Sequence, residues 1–269
     1  LASSFLVAIP LVQGRSYLDW RKRTRLELPS ITYLFSTGSG PSFGLFDLLG
    51  VFALLFIFSQ KYFLGWTEQG GTDFDSPIDR VLLINMAFQL FLMLIVLIRL
   101  SRTRRGTKLE LGLKPLKFRR NLGFVPIVLL GTWAFAGLLQ VCGWQEWVEE
   151  FAGGGVQEVV SRLANVSDRV TLILFILSAT VVAPFAEELI FRGYLFGVFR
   201  DLAGPIFGMV ASGFFFAMAH GNLFSLPVLF FLGVLLALSY HRSKTIWVPI
   251  VCHILFNAFT VWIQLSFAR

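Results

Sequence analysis

The sequence predicts an all-α fold, a polytopic transmembrane bundle of seven to eight membrane helices. Composition, the recurrence of long apolar runs and the sign of the loop charges predict it together. Of 269 residues, 56% are hydrophobic and 14% charged, mean hydropathy is +0.73, and Phe alone occurs 30 times. A soluble domain is about 45–50% apolar and about 25% charged. This chain has too little polar surface to cover a water-soluble globule, so a soluble enzyme is excluded and an integral membrane protein is expected.

Runs long enough to cross a bilayer, roughly 18–22 residues, lie near 44–64, 81–98, 122–142, 170–190, 205–220, 225–240 and 246–266. The fifth and sixth are short and the fourth carries charge. Leu1 is not an initiator Met, and the apolar run from Leu1 to Val12 is too short to span. It reads as the remainder of a longer helix or as a signal-like segment, and counting it gives eight. No soluble domain fits between the runs and no repeat occurs. Residues 1–269 therefore read as one membrane domain, with a polar-bearing core over about 170–266.

Loop charges give the orientation. Between 99 and 120 nine basic residues face Glu110 alone, and the 15–27 stretch and the turn His241-Arg242-Ser243-Lys244 are also basic. The loops 65–80 and 144–169 are acidic. Alternating sides through seven spans puts every basic loop on one face, which is then cytoplasmic. That accounts for the net charge of +7 without nucleic acid, since no basic stripe on a soluble element exists. The stretch 145–162, with Trp147, Val148 and Phe151 among acids, reads either as an interfacial amphipathic helix or as a solvated loop. Cys142 and Cys252 fall in apolar stretches and support no disulfide framework.

A charge inside an apolar helix costs about 2.5–3.5 kcal/mol on insertion scales and is a functional hypothesis by default. Such residues concentrate in the last third: Glu187, Glu188 and Arg192, then His220, then His253 and Asn257. Glu188 and Arg192, four apart in acid-before-base order, share a helix face. Glu187 points about 100° away, so one carboxylate reads as an ion-pair partner and the other as a reagent. His220 lies 33 positions beyond Glu187, and the midpoint falls at Ala203-Gly204-Pro205, a turn signal. A hairpin folded there brings both to the same depth, about 24 Å from its tip. A helix over 170–203 is about 50 Å long and protrudes on the cytoplasmic side, leaving the site about 10–15 Å below that surface. His253, about 12 Å in from the basic turn, reaches the same level, with Asn257 on its face. His241 reads as solvated, and Asp47 and Asn85 as helix-packing residues.

A carboxylate and an imidazole facing one water can make it nucleophilic. A second imidazole and an amide can stabilise the oxyanion formed at an attacked carbonyl. No HExxH is present. Glu187, His220 and His253 could equally form a His₂Glu zinc site with an open position, so the residues alone leave both mechanisms open.

The segments EELIFR, FAMAH and HILFN resemble the three signatures EExxxR, FxxxH and HxxxN of the CAAX-protease and bacteriocin-processing family, also called the Abi family. They stand intact and in order over 187–257, and Leu111-Gly112-Leu113-Lys114-Pro115 resembles a short motif of its bacterial members. The resemblance implies an eight-helix, glutamate-type intramembrane endopeptidase without a bound metal or other cofactor. It assigns water activation to Glu187 and His220, the oxyanion hole to His253 and Asn257, and support to Glu188 and Arg192. The partners it implies are the bilayer and a peptide or protein substrate near the cytoplasmic face, such as a prenylated CAAX tail or a bacteriocin leader. Two other classes remain: a non-catalytic scaffold or immunity protein, and a proton-coupled transporter. Against the transporter, the polar residues cluster in one third of the chain and no inverted repeat is visible.

Overall fold

The computed structural model describes residues 43, 47, 49–54, 78–103, 106, 110–113, 121, 123–152 and 169–267. Regular structure among them is helical: α1 (Ile78–Ser101), α2 (Phe124–Val141), α3 (Trp144–Ala152), α4 (Arg169–Ala203), α5 (Pro205–Met218), α6 (Leu226–Ser243) and α7 (Trp247–Phe267). Residues 47 and 49–54 are also helical.

Five of these, α1, α2, α4, α6 and α7, are long and apolar enough to span a membrane. The chain is a multi-pass integral membrane protein. The expected spans at 81–98, 122–142, 225–240 and 246–266 are present with ends displaced by a few residues. Two differ in kind. The 170–190 run continues as one helix of 35 residues to Ala203, because nothing before Gly204 breaks it. The 205–220 run stops at Met218, after only 14 residues, because the chain turns into the Gly221–Ser225 loop. The 44–64 run lies partly, and the Leu1–Val12 segment wholly, outside the described residues. Trp144–Ala152 is helical, which decides that part of 145–162, and 153–168 lies outside the described residues.

The turns form where sequence chemistry asks for them. Gly204, at φ +90°, ends α4, and Pro205 opens α5 with the fixed φ a first helical turn wants. Lys244 closes α6 in the left-handed region and donates its N–H to the Tyr240 carbonyl. Gly112, also left-handed, lies against this turn; a Cβ there would sit 2.0 Å from the Lys244 carbonyl oxygen. The adjacent Leu111 carbonyl accepts the Ile246 N–H at 2.9 Å. Tyr240 donates its hydroxyl to the Glu110 carbonyl oxygen. Glu110, counted as a loop charge in sequence, is therefore buried, with Arg200 at 4.0 Å. These contacts gather the ends of α4 and α6 and the start of α7 at the basic end of the bundle.

Two π-helical stretches widen α4, Ser178–Val182 and Leu189–Leu195, and Glu187 and Glu188 stand between them. The first has a visible cause. Pro184 offers no N–H to Thr180, and its ring crowds that carbonyl; the wider turn before it, with Ala183 donating five residues back to Ser178, relieves the conflict. Elsewhere the helices meet through small residues. A Cβ on Gly233 of α6 would lie 2.8 Å from the Gly213 Cα of α5, so these backbones touch. Asp47 packs helices as expected: it pairs with Arg99 at 2.6 Å and accepts from the Tyr194 hydroxyl. Asn85 does not, because its side chain is exposed on α1.

Candidate active site

Glu188 and Arg192 are both fully buried and meet at 2.9 Å within α4. Arg192 also donates from Nη2 to the Gly233 carbonyl at 3.1 Å, a contact that the close approach of α5 and α6 puts within reach. Its guanidinium lies 4.5 Å from the centre of the Phe216 ring, a cation–π contact in a desolvated setting. Glu188 has a second partner that helical spacing could not reveal. His253 of α7 places Nδ1 2.8 Å from Glu188 Oε1, across 65 positions of sequence. Glu188 therefore joins α4 to α7, while Arg192 joins α4 to α6.

Glu187 is placed differently. Its side chain keeps 17% of its surface exposed, and its Oε2 stands 3.8 Å from His253 Nε2. His253 thus has one carboxylate at each ring nitrogen. With Nδ1–H donated to Glu188, Nε2 is the nitrogen presented to Glu187, bearing a lone pair in the neutral ring and a proton in the imidazolium.

Phe216 unites the rest. Its ring packs edge-on against His220 at 4.8 Å and against His253 at 5.5 Å, and its carbonyl faces His220 Nδ1 at 2.8 Å. A carbonyl only accepts, so Nδ1 carries the proton and neutral His220 has its basic lone pair on Nε2. Asn257 donates from Nδ2 to the Ala179 carbonyl at 2.9 Å, within the first π stretch.

The six residues singled out in sequence thus fall into one linked region. Glu188, Arg192, His253 and Glu187 are in direct succession, His220 joins through Phe216, and Asn257 anchors α7 to α4. Sequence reasoning gave no role to Phe216, Gly233 or the Ala179 carbonyl. The Phe of FAMAH was the one available signal. Glu188 Oε2 and Arg192 Nε are buried without a hydrogen bond among the described residues. Among the described residues no group of three or more His, Cys, Asp or Glu side chains is arranged to hold a metal ion.

A multi-pass helical membrane protein with paired carboxylates and imidazoles on facing helices is the class this geometry defines. The profile described as type II CAAX prenyl endopeptidase Rce1-like matches residues 169–259, which contain all six residues. The chain is 32% identical over 178 residues to the membrane-embedded CAAX protease MroQ of Staphylococcus aureus strain USA300, covering 64% of this chain and 68% of that protein. It is also 32% identical over 119 residues to the putative membrane peptidase YdiL of Bacillus subtilis strain 168, covering 44% of this chain and 48% of the relative. No solved structure matches. The chain belongs to the Rce1-like CAAX prenyl endopeptidase family.

Proposed function

We propose that the protein is an intramembrane endopeptidase that hydrolyses a peptide bond of a membrane-proximal substrate, such as a CAAX-type tail, using water and no metal. The observation that carries this reading is the unequal placement of two adjacent carboxylates. Glu188 is consumed by Arg192 and His253, whereas Glu187 is partly exposed and stands beside a polarised imidazole.

Glu187, with His220, takes a proton from a water that attacks the scissile carbonyl carbon. The proton passes to the leaving amine nitrogen as the C–N bond breaks. Protonated at Nε2, His253 donates to the oxyanion; its second N–H is held by Glu188, which orients the ring and stabilises its positive charge. One Asn257 N–H is bound to Ala179 and the other is available to the same oxyanion. The basic loops support an entrance on the cytoplasmic side.

The test is cleavage of a quenched fluorescent peptide panel, including a farnesylated CAAX peptide, by wild type and Glu187→Ala, each with and without a zinc chelator. The expected result is cleavage that survives chelation and vanishes in the variant. Activity lost on chelation and restored by zinc would replace this mechanism with a His₂Glu metal site. Folded wild type that cuts none of the panel favours a non-catalytic role.

A further inference from the structure

A groove of about 410 Å³ runs between α2 and α6 on the side of α6 away from Gly233. Its walls are apolar: Phe124 and Ile127 on α2, Leu235 and Leu238 on α6. Both polar lining residues, Asn121 and Arg242, lie at one end. Leu235, Leu238 and Arg242 repeat at three and four residues, so they form one stripe on α6. Asn121 stands three residues before Phe124, on the chain entering the antiparallel α2. The groove is thus about 10 Å of hydrocarbon-lined wall capped by a cation and an amide. Both helices are long and apolar enough to span a membrane, and Arg242 sits in the last turn of α6 at the basic end; the end of such a span falls where hydrocarbon gives way to headgroups.

Neither polar residue is spent on the fold. Arg242 is exposed and pairs with no carboxylate among the described residues. Asn121 is 7% exposed, and its side chain makes no hydrogen bond among the described residues. The sequence just before it carries Lys117, Arg119 and Arg120.

We propose that this groove is a binding site for an anionic phospholipid. The phosphate pairs with Arg242 and accepts from the Asn121 amide, and one acyl chain lies along Phe124, Ile127, Leu235 and Leu238. Charge complementarity selects the ligand. A cationic tip above an apolar wall at the headgroup level matches a lipid with net negative charge and gives no advantage to a zwitterionic one. The site is separate from the six residues of the candidate active site and stands whether or not those residues cleave peptides.

The test is native mass spectrometry of the detergent-purified full chain titrated with phosphatidylglycerol or phosphatidylcholine, for wild type, Arg242→Glu and Leu235→Trp. Unfolding midpoints of the three proteins are measured in parallel. Wild type is expected to retain phosphatidylglycerol at least tenfold more than phosphatidylcholine, with that preference lost on charge reversal and retention lost when the groove is filled. Inorganic phosphate in excess is expected not to displace the lipid. Equal retention of both lipids by wild type, retention unchanged in both folded variants, or displacement by phosphate alone overturns the assignment.

Discussion

In α2, 11% of the membrane-crossing window is buried inside the protein; in α7 the share is 39%. Their polar residues differ in the same sense. Thr132, the buried polar residue of α2, returns its hydroxyl to the Val128 carbonyl one turn back on its own helix. On α7, His253 reaches Glu188 and Asn257 reaches the Ala179 carbonyl, both on α4. A hydroxyl satisfied by its own helix leaves that helix indifferent to its neighbours, so α2 can turn most of its surface to lipid. A side chain satisfied only across an interface fixes which helices meet and at what register. The α4–α7 region is held in register by polar contacts that also carry the candidate chemistry, whereas α2 is held by apolar packing.

The contrast is broken most severely at Arg192. Arg192→Met leaves Glu188 buried beside His253 without its cation, and stability falls by about 3–5 kcal/mol, read as an unfolding midpoint in detergent. The comparable change at an ion pair outside the candidate site is Arg99→Met, on α1. Arg99 is one-third exposed, and Tyr194 still donates to Asp47, so the loss is smaller, about 1–3 kcal/mol. Equal losses for the two variants would erase the distinction between a clamp and a site.

The smallest effect sharpens it. The indole of Trp144, at the start of α3, donates to the Phe224 carbonyl in the loop that follows His220. Trp144→Phe keeps an aromatic ring at this position and removes the indole donor, which costs about 0.5–1.5 kcal/mol of stability through the lost hydrogen bond. Cleavage falls by less than about tenfold, since the loop loses one tether and no reacting group.

Much of the site was legible because it is local. The Glu188–Arg192 pair follows from four-residue spacing, the different setting of Glu187 from a 100° turn, and the hairpin from Gly204-Pro205. What escaped is non-local or a matter of hydrogen-bond register. His253 meets Glu188 across 65 positions, and no periodicity encodes that distance. Arg192 reaches the Gly233 carbonyl only because two glycines let α5 and α6 touch. The π stretches of α4 change which carbonyl each N–H finds without changing the apolar pattern, although Pro184 was a visible cause of one. Glu110 read as a loop charge because composition does not say which loops fold back onto helix ends.

The proposed function gives two neighbouring carboxylates separate tasks, and paired isosteric substitutions test that division. Unfolding midpoint and peptide cleavage are measured side by side for wild type, Glu187→Gln and Glu188→Gln. Glu187→Gln is predicted to keep the wild-type midpoint and to lose cleavage by about 10²–10⁴-fold. Glu188→Gln is predicted to lower the midpoint, because Arg192 and His253 both lose their charged partner. Cleavage by Glu187→Gln at the wild-type rate, or midpoints lowered alike in both variants, would contradict the account.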